Sequence, residues 1–366
     1  MNKGFLAIGG VLLAVLSLSI FTYFFLRADD DYIVSFIKSN PDKSSLIIVR
    51  NDTVLARANA ETPMTLASVM KYIIAIDYAE QAAAGTVKPD EPVNLDTLMQ
   101  FYVSKTDGDA HPNWLQEIET KKLSKGNAVP LEQVVRGMMK HSSNANADYL
   151  MARLGLRHIN ATIDSLGLGS HTEIFPIAGS LFVFQNPEKA SEEKFLARVK
   201  AMSQGDYIAA AVKAHQRMHS GDTAFAQNFN LYDVTVIAQQ AWSDRLPQAS
   251  AEDYARVMKM INRRTAFSDA VQQRLDAVLE SILDNPQNRT WLEHAGLKGG
   301  STLTVLTHAF YARDKQGNQT EIVIFFNNLG MLERGKIQGN LNQFELSLLT
   351  DDAFREKVRA AFSSAK

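Results

Sequence analysis

The chain has 366 residues, 46% of them hydrophobic, and a formal net charge of -2 at pH 7. That length supports a sizeable core, and the near-neutral balance excludes a general nucleic-acid binder, which needs clustered Lys and Arg to neutralise phosphate. There is no cysteine, which excludes disulfides, thiolate metal sites, a Cys nucleophile and a lipid-modified Cys.

After Lys3, residues 5–26 are apolar or uncharged throughout, and a run of about 20 such residues matches a helix crossing a bilayer. Bulky Tyr23, Phe24, Phe25 and Leu26 stand where signal-peptide cleavage needs small residues. The expectation is an uncleaved single-pass anchor over 1–31 in the inner membrane. Lys3 puts its tip in the cytoplasm, and the folded domain, 32–366, lies on the periplasmic side.

Residues 45–50 and 53–58 read as strands joined by a tight turn at Asn51-Asp52. From Met64 the period changes, and Ala67, Met70, Ile73, Ile74, Asp77 and Tyr78 mark a buried helix that ends near Gly85. A helix begins around Pro130 and runs to about His141, and 145–154 makes the next, closed by Gly155. Helical patterns follow over 192–202, 207–219, 232–242, 251–261 and 269–283, with Ser250 and Ser268 as N-caps of the last two. Strand patterns return over 296–302, 304–313 and 321–327, before a closing helix over 351–362. The first and last strands must then pair across the helices. The fold class is α+β: an antiparallel sheet flanked by terminal helices, with a helical lobe inserted over about 67–290.

Three clusters carry chemistry. Ser68 and Lys71 stand three apart at a helix start and share a face, where free amides suit an oxyanion. A serine is a poor nucleophile until a base takes its proton, and a lysine whose charge is disfavoured by burial can be that base. Ser142-Ser143-Asn144 lies between two helices. Ordinary capping explains it alone, but Ser142 can also relay a proton, and Asn144 can hold a substrate amide and the Lys71 side chain. In Lys298-Gly299-Gly300-Ser301 the glycines let a ligand approach a strand edge, the Ser301 amide can join that of Ser68 at an oxyanion, and Lys298 can attract a carboxylate.

In this order and context the clusters resemble the three motifs of penicillin-binding proteins and serine β-lactamases. The stretch 141–167 resembles the class A β-lactamase branch well beyond the motif, and so does the run from about Ala251 to the Lys-Gly-Gly strand. The resemblance covers most of 36–175 and 250–366, and it implies a β-lactamase/transpeptidase-like fold. It also implies Ser68 as nucleophile, Lys71 as activating base, Ser142 as proton relay, Asn144 as substrate positioner and Lys298 as anion-binding lysine. Gly300 would border the substrate, and the Ser68 and Ser301 amides would form the oxyanion hole.

This chain departs from that pattern in three places. Gly299 replaces the usual Thr of the third motif. The Glu-x-x-Leu-Asn pattern that positions deacylating water is missing from 172–177; alignment on Pro176 puts Phe175 at the glutamate, with Glu173 offset. A β-lactam acyl-enzyme should therefore persist. An extra helical segment over about 187–247 reads as a lid, a partner-binding cap or a solvated elaboration. His215 and His219 share a helix face, but Gln216 stands where a zinc protease needs glutamate, so no metal is expected, and no cofactor. Phe101, Tyr102 and Trp114 either wall a groove or lie in the core.

The expected function is a membrane-anchored, penicillin-binding serine hydrolase acting through an acyl-enzyme. Its substrate would be a D-alanyl peptide of peptidoglycan or a related small amide or ester, and its only other partner the membrane. The alternatives are a class A-like β-lactamase with a relocated deacylation base and a non-catalytic β-lactam or peptidoglycan sensor. Oligomeric state is left open.

Overall fold

The computed structural model describes residue 29, residues 31–186 and 188–220, residues 222, 225 and 229, and residues 234–363. Asn51 and Asp52 take left-handed φ values of 48° and 67°, the twist that a two-residue hairpin needs. They join β1 (Ser44–Arg50) to β2 (Thr53–Ala58). The returning strands are β3 (Leu292–Ser301), β4 (Leu306–Asp314) and β5 (Gln319–Phe326). The sheet runs β2-β1-β5-β4-β3, every pair antiparallel, with Ile47 opposite Val323 and Gly300 opposite Thr307. The chain's two ends thus meet at the centre, and β3 is left as an edge.

Alternation along β5 divides the core in two. Ile322, Ile324 and Phe326 pack outward with Ile33, Ile337, Leu341, Phe344, Phe354 and Val358 of the helices Tyr32–Ser39, Met331–Thr350 and Asp352–Ser363. Val323 and Phe325 face the other way, onto the helices Lys71–Ala83, Ala251–Arg263 and Asp269–Leu279. Period-2 burial of this kind fixes register, since a slip of one residue would exchange the two faces. A third cluster joins Phe175 and the short helix Ile177–Leu181 to Glu192–Ala201, Gln204–His219 and Val236–Ser243.

Several elements differ from the sequence expectations. The helix expected over 207–219 starts at Gln204, because Ser203 accepts the Asp206 amide at 3.1 Å. That expected over 232–242 runs from Val236 to Ser243, and residues 232 and 233 lie outside the described residues. Met331–Thr350, the longest helix among the described residues, was not anticipated.

The expected placement in the inner membrane does not stand. Among the described residues no helix is long and apolar enough to cross a membrane. Even the 20-residue helix Met331–Thr350 carries Glu333, Arg334, Lys336 and Glu345, and ionised side chains in hydrocarbon are costly. The segment 5–26, on which the expectation rested, lies outside the described residues.

Candidate active site

Ser68 sits in a 3-10 turn, Ala67–Met70, that runs directly into the helix Lys71–Ala83. It is therefore not at the start of an α-helix, but in a 3-10 turn residues three apart eclipse, which keeps Ser68 and Lys71 on one side. The preceding Ala67 has a φ of 46°, a left-handed conformation costly for a side-chain-bearing residue.

Lys71 is buried, and its Nζ donates to the Ser142 carbonyl at 2.7 Å and to Asn144 Oδ1 at 2.8 Å. The Ser142 hydroxyl is more distant, at 3.4 Å. Ser142 has a φ of 71° in the turn between the helices Leu131–Lys140 and Asn144–Leu154. The capping role falls instead to Ser143. Its Oγ accepts the Asn146 amide at 3.1 Å and lies 2.9 Å from Nδ1 of His111, whose pKa burial lowers to about 4. With Ser143 closing the helix, both flanking residues turn to Lys71. The hydrogen bonds of Lys71 Nζ run to Ser142 and Asn144, and hydrogen bonds of a catalytic pair often form only when substrate arrives.

The edge strand closes the other side. A Cβ at Gly300 would lie 2.6 Å from the Ser68 amide nitrogen, 2.6 Å from Thr307 Oγ1 and 2.7 Å from the Leu66 carbonyl oxygen. Only glycine permits β3 to come this close. Thr307 of the neighbouring β4 ties the sheet to the serine turn, its Oγ1 donating to the Leu66 carbonyl at 2.8 Å. At Gly299 the missing side chain leaves room filled from the next strand, with His308 Nε2 3.2 Å from where a Cβ would be. His308 Nδ1 lies 2.9 Å from Oε1 of the buried Glu345.

Two buried lysines dominate the electrostatics. Burial lowers the Lys71 pKa to about 7, against the opposing fields of Asp107 and Asp148. Lys298 is driven well below its usual range by burial and by Lys71, while its Nζ donates to the Gly299 carbonyl at 2.8 Å. A neutral amine still has enough hydrogens for both Lys71 contacts, and it retains a lone pair to accept the serine proton.

A cleft of 490 Å³ opens beside these groups, lined by Ser68, Ser142, Asn144, Gly300 and Ser301, among others. That volume suits a small molecule or peptide end. Neither buried lysine lines it. Phe101 and Trp114 are core residues, and Tyr102 packs against His111 with ring centroids 4.9 Å apart, so none of the three walls the cleft. Phe175 is buried 5.7 Å from the Tyr207 ring, and Glu173 is exposed away from the cleft.

Among the cleft-lining residues that sequence reasoning missed, three carry ionisable side chains: Asp107, His308 and Arg334. Arg334 Nε has no hydrogen-bond partner among the described residues. None of the three stands in a motif. Asp107 is followed by Gly108, which in sequence reads simply as a turn.

A model of the β-lactamase enzyme family matches residues 30–324. The chain belongs to the β-lactamase enzyme family. A β-lactamase from Sphaerobacter thermophilus superposes with a TM-score of 0.55 at 16% identity, covering 89% of this chain and 96% of that one. One from Chitinophaga pinensis gives 0.52 at 15%, covering 87% and 99%. PBP-A, solved as an acyl-enzyme complex with penicillin G, gives 0.50 at 14%, covering 87% and 95%. At these identities the structures speak for the fold. No curated protein matches the chain. Family membership makes it a β-lactamase-like serine hydrolase, with the α+β fold of that family.

Proposed function

We propose that the protein hydrolyses an amide or ester through an acyl-enzyme on Ser68, acting on D-alanyl peptides of peptidoglycan or a related substrate, and that β-lactams acylate the same serine. The observation that carries this reading is Lys71, buried with a pKa lowered to about 7 and held by Ser142 and Asn144, which line the same cleft as Ser68. Such a group accepts a proton near neutral pH.

Ser68 Oγ attacks the carbonyl carbon as Lys71 takes its proton. The Ser68 and Ser301 amides face the developing oxyanion, and Ser142 passes a proton to the departing nitrogen. Asn144 orients the substrate amide, Lys298 braces the β3 edge through the Gly299 carbonyl, and Arg334 meets a substrate carboxylate at the cleft wall. Phe175 in the place of a catalytic glutamate supports slow loss of a penicilloyl group.

The test is intact-protein mass spectrometry after brief and prolonged exposure to benzylpenicillin. A one-drug adduct is expected on the wild type and not on Ser68→Ala. Drug destruction without an accumulating adduct would favour the β-lactamase alternative, while neither adduct nor drug loss would sink the Ser68 reading.

A further inference from the structure

We infer that Asp107 is the general base for deacylation, so that the hydrolytic half of the reaction is run from the loop before the helix Ala110–Thr120 and not from the segment around Phe175. The inference rests on the Ser68 acyl-enzyme reading and adds what that reading lacks, a group to activate water.

The cleft is lined by a single acidic side chain among the described residues, and it is Asp107, in company with Ser68, Ser142 and Asn144. One of its oxygens is fixed, since Oδ2 accepts the His111 amide at 3.1 Å. The other, Oδ1, is buried and makes no hydrogen bond of good geometry among the described residues, although the Asn144 amide lies near enough to the carboxylate to favour its charged form. A carboxylate oxygen left unpaired in a dry place is costly unless something binds it. Support for the carboxylate is rigid: the Asp107 carbonyl accepts the Ala110 amide at 3.3 Å, and Thr106 Oγ1 donates to the Val103 carbonyl at 2.7 Å.

Burial raises the Asp107 carboxyl above its usual range, opposed by the Asn144 amide, by Lys71 and by the His111 and Ala110 amides. The shift runs toward a stronger base. Other candidates fail on position. Asp148 also has an unpartnered Oδ1, but its Oδ2 accepts the Ala178 amide at 3.2 Å, and it does not line the cleft. His308 stands against Gly299, whereas Gly300 is the residue that meets Ser68.

The step balances with water as co-reactant. The Asp107 carboxylate takes one proton from water while the water oxygen bonds to the acyl carbon. Collapse of the tetrahedral intermediate breaks the bond from that carbon to Ser68 Oγ, and the proton held by Asp107 passes to Ser68 Oγ, which restores the Asp107 carboxylate. An acid product and free enzyme result.

The experiment follows the benzylpenicillin adduct by mass, separating its formation from its decay in the full chain. At a pH well above 7, where Lys71 is neutral with or without the Asp107 field, Asp107→Asn should form the adduct within about threefold of the wild-type rate and clear it about 100-fold more slowly or worse, the low end of what a general base contributes. Asp107→Glu should retain measurable clearance, and thermal melts should confirm that both variants fold. If Asp107→Asn does not fold, Asp107→Glu decides, because a base moved by one methylene must change decay and leave formation alone. Equal clearance in wild type and variant, a parallel loss of formation and decay, or a wild-type adduct that never clears would each overturn the assignment. Absence of both adduct and drug loss in the wild type would instead overturn the Ser68 reading itself.

Discussion

At position 300 even a methyl group has no room, because two of the three atoms it would strike are backbone atoms of the serine turn, Ser68 N and Leu66 O. Gly300→Ala must push β3 away from Ser68, moving the Ser301 amide with it. Such overpacking typically costs about 1–3 kcal/mol, and displacement of an oxyanion donor costs about 100-fold or more in rate. Adduct formation should therefore fall by about that factor while the protein still melts cooperatively; unchanged acylation would show that the β3 edge plays no part. Lys71 gives a second outcome. Its neutral form is the base, so acylation should rise with pH through about 7, and Asp148→Asn, by removing a field that favours the charged amine, should move that rise to lower pH. Stability has the same sign: the unfolded lysine holds its proton up to about 10.5, the folded one releases it near 7, and between those values stability climbs with pH. A pH-independent acylation rate would remove Lys71 from the base role. Ser68, Lys71, Ser142 and Lys298 could be named as candidates in sequence because reactive residue types stood at motif spacing, and the structure brings Ser68 and Ser142 to the cleft while both lysines stay out of its lining. Asp107, His308 and Arg334 could not be named, since their approach to the cleft depends on long-range packing.

Elements were readable where one strong local rule governed them. The β1-β2 hairpin follows from two left-handed turn residues, and the helix Ala251–Arg263 begins where Ser250 accepts the Asp253 amide at 3.1 Å. The helix Met331–Thr350 obeys no such rule. Its start at Gly330 has no side-chain cap; instead Glu333 reaches back to accept the Gly330 amide at 2.6 Å, while Gly335 and Gly339 interrupt the apolar pattern. It is buried by the sheet and by Asp352–Ser363, a tertiary cause that no local window contains. The contact between Ile177–Leu181 and Gln204–His219 was equally hidden. There a Cβ at Gly179 would lie 2.4 Å from the Ala211 carbonyl oxygen, so the two helices touch backbone to side-chain-free backbone. Gly179→Ala should lower stability by about 1–3 kcal/mol in urea melts, and equal stability would mean that the two helices separate freely.

On the scale of the molecule, the two clusters on opposite faces of the sheet share its strands, whereas the third contains no strand residue of that sheet among the described residues. It is built from Phe175, Ile177–Leu181 and the extra helices, and parts of it, Leu181 and Trp242, also wall the cleft. A unit that lacks strand pairing and has its own apolar cluster should open at lower free energy than the sheet. In native-state hydrogen exchange, the amides of Glu192–Ala201, Gln204–His219 and Val236–Ser243 should therefore exchange before those of β3, β4 and β5 and of the helix Lys71–Ala83. Because the same cluster forms a wall of the cleft, acylation of Ser68 should slow that early exchange while leaving the sheet amides unchanged. Exchange at one common rate across all three clusters would mean that the extra helices fold as part of a single cooperative body. Early exchange that acylation does not alter would mean that the third cluster is energetically separate from the cleft it borders.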